Sequence, residues 1–121
     1  MIVFFVYNIL IFNYKDTKNY RDYQLFKRIS YPELRFIGKW EKYIITTTTV
    51  PGTNRPALLI LGSDKRGTIY GIYELSRQIG VSPWYWMADA PIARHDSLYI
   101  SKGTFTDGEP KVKYRGIFIN D

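Results

Sequence analysis

The sequence predicts an α/β (α+β) fold, a small mixed sheet with one main packed helix, and three observations carry that reading. A chain of 121 residues with 45% hydrophobic composition is long enough for one domain and too short for two. Between residues 40 and 62, the β-branched stretch "WEKYIITTTTV" and the apolar run "ALLILG" flank the turn-forming "PGTNRP", the pattern of two strands joined by a loop. Directly after them, "SDKRGTIYGIYELSRQIG" carries the start signals, apolar spacing and glycine stop of a helix.

Taken in order, "MIVFFVYNILIF" is apolar for 12 residues apart from Asn8. It is shorter than the ~20 residues of a membrane helix and lacks the basic start of a signal peptide. A buried strand is the plainer reading, and a shortened leader is the alternative. "NYRDYQLFKRI" places Tyr23, Phe26 and Ile29 at helical spacing, and Pro32 ends that segment. The strands over 40–50 and 57–62 follow, with Thr46 to Thr49 expected on an exposed strand face. For the main helix, Ser63 is the expected N-cap, Asp64 favours the helix dipole, and Gly80 is the stop. Ile69, Ile72, Tyr73, Ser76 and Ile79 form the expected inward stripe. Gly67 and Gly71, one turn apart, allow the helix backbone to approach a sheet closely. Arg66, Tyr70 and Glu74 make a third, polar stripe that faces solvent, another domain or a ligand.

Beyond the helix, Trp84, Tyr85 and Trp86 fall within three residues of a loop bounded by Pro83 and Pro91. Adjacent residues in an extended chain point to opposite sides, so plugging a core or domain junction fits them better than stacking on a sugar ring. "SLYIS" reads as a short strand and "KGTFTDGEP" as a turn-rich connector. "KVKYRGIFIND" opens a new strand, "GIFI", which looks like the start of a second domain.

Composition excludes several classes of chemistry. The chain has no cysteine, which removes disulfide frameworks, thiol nucleophiles and cysteine zinc sites. A single histidine, His95, cannot form an imidazole cluster and reads as a solvated loop residue. No cofactor and no metal are expected. The net charge of +6 is spread along the chain without a like-charged block, and is best read as a solvated surface. Gly62 and Gly67 have the spacing of a phosphate loop. Thr68, however, stands where the phosphate-reaching lysine should be, Ile69 where the magnesium-binding hydroxyl should be, and Asp64 brings negative charge to the anion's place.

Three strings in order, "GKWEKY", "GSDKRGTIYGIYELSRQIGVSPWYWMADAP" and "KVKYRGIFIND", resemble glycoside hydrolase family 115, the α-glucuronidases that remove glucuronate or methylglucuronate from xylan. The resemblance covers residues 38–121, while residues 1–37 are divergent or truncated. It implies an N-terminal α/β accessory domain over 1–110, like the one that precedes the barrel in hexosaminidase-like glycosidases. Residues 111–121 would then be the linker and first strand of a (β/α)₈ catalytic barrel. Active sites of such barrels lie at the C-terminal ends of the strands, so the resemblance implies that Asp121 is catalytic. Asn120 becomes substrate-binding with it, and Arg66 and Glu74 are weaker substrate-binding candidates at the domain interface.

Inverting hydrolysis needs two carboxyl groups about 6.5–9.5 Å apart with water between them, and this chain offers at most one. The isolated chain is therefore expected to be inactive. Its implied partners are glucuronoxylan or its oligosaccharides in a complete enzyme and the catalytic barrel itself, with no nucleic acid and no membrane. Secretion or a periplasmic location is usual for such enzymes. The competing readings are a basic, aromatic-rich module for single-stranded nucleic acid and an inert α/β remnant.

Overall fold

The computed structural model of the chain describes residues 9–13, 38–50 and 52–120. Its elements are β1 (Ile9–Asn13), β2 (Tyr43–Thr49), β3 (Pro56–Gly62), α1 (Lys65–Gln78) and β4 (Thr104–Thr106). The strands form one mixed sheet in the order β1-β3-β2-β4. β3 runs parallel to β1 and antiparallel to β2, and β4 pairs antiparallel along the other edge of β2. Among the described residues, the small mixed sheet with one packed helix is the predicted α+β arrangement. The helix expected around Tyr23, Phe26 and Ile29, the first part of the opening apolar run (1–8) and Asp121 lie outside the described residues.

β3 occupies the centre of the sheet because of its side chains. A strand paired on both edges and covered on both faces reads as a continuous apolar run, not an alternating one. Ala57, Leu58, Leu59, Ile60 and Leu61 are all buried. On one face Tyr43, Ile45, Leu58 and Ile60 form a cluster packed by Tyr70 and Leu75 of α1 and by Ile100. The period-two alternation puts Ile44, Thr46, Leu59 and Leu61 on the opposite face, and these are buried as well.

The helix sits on the sheet along its glycines and not along its isoleucines. Ile69, Ile72, Tyr73 and Ile79 of the expected inward stripe are exposed and Ser76 is half-buried, whereas Gly67, Thr68 and Gly71 are the buried residues of α1. A Cβ on Gly67 would stand 2.2 Å from the Lys42 carbonyl oxygen, and one on Gly71 would stand 2.7 Å from Ile60 Cγ2. The close approach expected for these two positions is therefore present, and at that separation no larger side chain fits between helix and sheet.

The helix ends are set by side chains and backbone geometry. The N-cap is Asp64 instead of the expected Ser63: Asp64 Oδ1 accepts the Gly67 N–H at 2.7 Å. Ser63 Oγ instead accepts the Lys42 N–H at 3.1 Å, tying the turn to the start of β2. At the other end Gly80, at φ +110°, donates its N–H to the Arg77 carbonyl while Val81 donates to that of Ser76. This is a Schellman closure, which favours glycine at that position.

Three strand expectations change, one of them the strand read at "GIFI" (116–119), where none is assigned. Residues 97–101 form no strand, only a bridge at Ile100, and β4 lies instead within the stretch read as a connector. Threonine pairing across the edge of β2 accounts for the shift. Thr46 Oγ1 and Thr104 Oγ1 lie 2.8 Å apart, Thr106 Oγ1 donates to the Tyr43 carbonyl at 2.7 Å, and Thr47 N–H donates to the Gly103 carbonyl at 3.0 Å. Phe105 places its ring 6.4 Å from that of Tyr43. Thr46 is consequently buried and Thr47 to Thr49 half-buried, not on an exposed face. Residues 111–120 carry no assigned strand and are exposed throughout.

Candidate functional site

The densest polar cluster among the described residues is built on Glu41, just before β2. Its backbone lies at φ +51°, a region that residues with side chains rarely adopt, and its side chain is buried. The surroundings hold it there. Its N–H donates to Asp64 Oδ2 at 2.9 Å, so the carboxylate that caps α1 also fixes the approach to β2. Arg66, in the first turn of α1, donates from Nη1 to Glu41 Oε1 at 3.0 Å, and Arg115 Nη2 donates to Oε2.

Arg115 reaches this carboxylate from a segment that is 74 residues away in sequence. Its guanidinium carbon lies 5.7 Å from the Trp40 ring centre and 5.9 Å from that of Tyr70. Nη2 also donates to the Tyr70 hydroxyl at 3.3 Å, and Nη1 donates to the Val112 carbonyl. Planar guanidinium geometry permits paired hydrogen bonding and ring contact at once, which an ammonium could not supply. Nearby, Glu109 accepts the Trp40 N–H at 3.0 Å and faces Lys39 Nζ at 3.5 Å.

The electrostatics of the cluster limit what it can do. The Arg115 hydrogen bond, reinforced by Arg66, holds the Glu41 carboxyl below the usual carboxylate range in spite of burial, which acts in the opposite direction. Glu41 in turn raises both arginines. A general acid needs a carboxyl that keeps its proton near the working pH. Glu41 is the reverse, an ionised anchor.

A cavity of about 650 Å³ opens beside this cluster, with Tyr70, Tyr73, Glu74, Arg77, Asp107 and Arg115 among its walls. Glu74 is held by Arg77, whose Nη2 approaches Oε1 at 2.5 Å, and by Gln78 Nε2 at 2.9 Å. The Arg77 contact keeps Glu74 below the usual carboxylate range. Burial pushes the phenol of Tyr43, also in the wall, up to about 12. A second cavity, of about 880 Å³, lies between the sheet, the helix and residues 95–105. Its lining includes Ile45, Leu58, Leu75, Leu98, Ile100 and Phe105, with exposed His95 at its margin.

Three of the four site residues singled out in the sequence have a described place. Arg66 belongs to the Glu41 cluster, Glu74 faces the smaller cavity with Arg77 as its partner, and Asn120 is exposed at the end of the described chain. Asp121 lies outside the described residues. Glu41 and Arg115 were not legible as site residues, because nothing in "KWEKY" or "KVKYRGI" marks a pairing across 74 positions. The helix N-terminus that resembles a phosphate loop is already occupied: Asp64 takes the Gly67 N–H, and Thr68 N–H donates to the Asp64 carbonyl at 3.1 Å. Trp84, Tyr85 and Trp86 do not plug the core of this domain, being 57%, 48% and 78% exposed. Among the described residues, no group of three potential metal-ligating side chains occurs, and no helix is long and apolar enough to cross a membrane.

No family model matches the chain, and no curated protein matches it. Among solved structures, the chain is similar to a family GH115 4-O-methyl-α-glucuronidase with specificity for decorated arabinogalactans. The TM-score is 0.61, and the two are 27% identical over 84% of this chain. The fold is GH115-like. The similarity spans 12% of that enzyme's length, so it concerns one part of a much larger glycoside hydrolase.

Proposed function

We propose that the chain is the N-terminal accessory part of a glycoside hydrolase that removes glucuronate or methylglucuronate from a plant polysaccharide. Residues 1–110 form the accessory domain, and 111–121 lead into the first strand of a catalytic barrel. The similarity to the GH115 glucuronidase, over 84% of this chain and 12% of that one, is the observation that carries the proposal. The order of "GKWEKY", the helix string and "KVKYRGIFIND" supports it independently of the fold. In this reading Asp121 supplies one of the two carboxyl groups of an inverting site, Asn120 hydrogen-bonds a sugar hydroxyl or holds a water, and Arg66 and Glu74 lie on the face turned towards the barrel.

The substrate is a glucuronate-bearing polysaccharide, with glucuronoxylan or its oligosaccharides as the first choice. The solved neighbour acts on decorated arabinogalactans, so the test carries both. This chain replaces the corresponding segment of the neighbouring glucuronidase, and glucuronate release is measured on glucuronoxylan and on decorated arabinogalactan. The chimera should hydrolyse at least one of them, the free chain neither, and Asp121→Asn in the chimera should lose about a hundredfold or more in turnover. A folded chimera without activity, or one indifferent to Asp121→Asn, refutes the assignment. Arg66→Ala and Glu74→Ala should change activity less than Asp121→Asn.

A further inference from the structure

We infer that Glu41 and Arg115 form an anchor that fixes the direction in which residues 111–120 leave the sheet–helix body, and thus act as positioning residues for Asn120. The segment is exposed from end to end and has no assigned strand pairing. Among the described residues, its hydrogen bonds to the rest of the domain all run through the Arg115 guanidinium, to Glu41 and to the Tyr70 hydroxyl. A third Arg115 hydrogen bond, to the Val112 carbonyl, closes a small loop within the segment and orients the arginine.

The receiving side belongs to the packed sheet–helix body. Glu41 is buried, its backbone N–H is fixed by the same Asp64 carboxylate that caps α1, and its second oxygen is taken by Arg66. Trp40 and Tyr70 lie within ring-contact distance of the Arg115 guanidinium. The two guanidiniums on this buried carboxylate come from different segments, Arg66 from α1 and Arg115 from 111–120, so satisfying the charge also ties the two segments together at one point. Asn120 lies five positions beyond Arg115. A small misplacement of a reacting group lowers turnover sharply.

The anchor itself does not depend on the proposed function, whereas the positioning role rests on it, and the two parts are tested separately. Backbone ¹⁵N relaxation on the full chain reads the first. Residues 112–118 should show order parameters near those of β2 and β3. In Arg115→Ala and Glu41→Gln they should fall below ~0.6, the range of flexible backbone, while those of the sheet stay unchanged. Arg115→Lys should behave like Arg115→Ala, because an ammonium keeps the charge but not the paired geometry. Order parameters already low in the unaltered chain, or unchanged in Arg115→Ala, overturn the anchor. So does equal loosening of β3 in Glu41→Gln, which would make Glu41 a residue of the fold as a whole.

The second part uses the chimera with the glucuronidase. Arg115→Ala and Glu41→Gln should each lower kcat about tenfold or more with KM little changed. A chimera that is inactive before any substitution refutes the proposed function and the positioning role with it, leaving the anchor judged by relaxation alone. An active chimera whose Arg115→Ala form has a freed segment yet normal kcat overturns the positioning role while the proposed function stands.

Discussion

Between Tyr43 and Gly80 the chain buries both faces of β3 and packs a helix backbone directly onto strands. In residues 83–120 all but Ala90, Ile100, Glu109 and Pro110 are exposed, and those four are half-buried. Both regions are rich in large apolar side chains, so composition does not separate them. The difference lies in partners. Leu59, Ile60 and Leu61 have strands on both edges and cover on both faces, whereas Trp86, Tyr114, Phe118 and Ile119 face solvent. Exposed apolar area of this kind is typical of surfaces that a partner covers.

The largest expected effect contrasts the two regions directly. Leu59→Ala, in the central strand, should destabilise the domain by about 2–5 kcal/mol, while Phe118→Ala in the same chain should stay within about 0.5 kcal/mol of the parent. Urea denaturation compares them, and equal losses would erase the distinction. In the chimera, where the proposed barrel supplies a covering surface, Phe118→Ala should become costly.

The glycine seam comes next. Gly67→Val and Gly71→Val should each cost about 1–3 kcal/mol or more, since added bulk cannot be taken up without moving helix or sheet. Gly67 should be the worse of the two, because the clash there is with the Lys42 carbonyl, whereas at Gly71 it is with a side-chain methyl of Ile60. Gly108→Ala and Gly116→Ala, where an added Cβ meets nothing within 4 Å, serve as the comparison in the exposed region. Unchanged urea midpoints for both valine variants would remove the close-packing explanation of α1.

Acid titration should give a smaller effect. The Glu41 and Glu74 carboxyls are held below their ordinary value of 4.5 in the folded chain, by Arg115 and by Arg77 first of all. The unfolded chain therefore binds their protons first as pH falls. Their contribution is fully present above about pH 5 and disappears as the pH drops through their lowered folded values. Melting temperature should decline below that point, and Glu41→Gln should flatten the decline. A decline as steep in Glu41→Gln as in the parent would show that this carboxylate is not linked to folding. The phenol of Tyr43 works at the other end of the scale. Raised to about 12 from 10.0 by burial, it should cost stability as pH rises from 10 towards 12, because the unfolded chain ionises first.

The smallest change in folding energy is expected at the aromatic loop. Replacing Trp84 and Trp86 together by serine should leave the urea midpoint close to the parent's but reduce concentration-dependent self-association in sedimentation velocity, since both rings are exposed. A monomer at all concentrations before substitution would mean that the patch is not sticky enough to act as an interface.

The sequence by itself determined the elements whose causes are local or periodic. A continuous apolar run made β3 the buried strand, β-branched residues made β2, and the glycine after Ile79 closed α1 in the left-handed conformation. The spacing of Gly67 and Gly71 was enough to expect a close approach of helix to sheet. Tertiary structure alone decided which stripe of α1 turned inward. Once the helix lies on the backbone of Lys42, there is no room for the isoleucines that periodicity favours. It also moved the last strand from 97–101 to Thr104–Thr106, through threonine hydrogen bonds to β2 that no local pattern announces. The Glu41–Arg115 pair belongs wholly to this second group. A charge pairing across 74 positions leaves no periodicity to read, because its geometry exists only after the sheet and the helix have brought the two segments together.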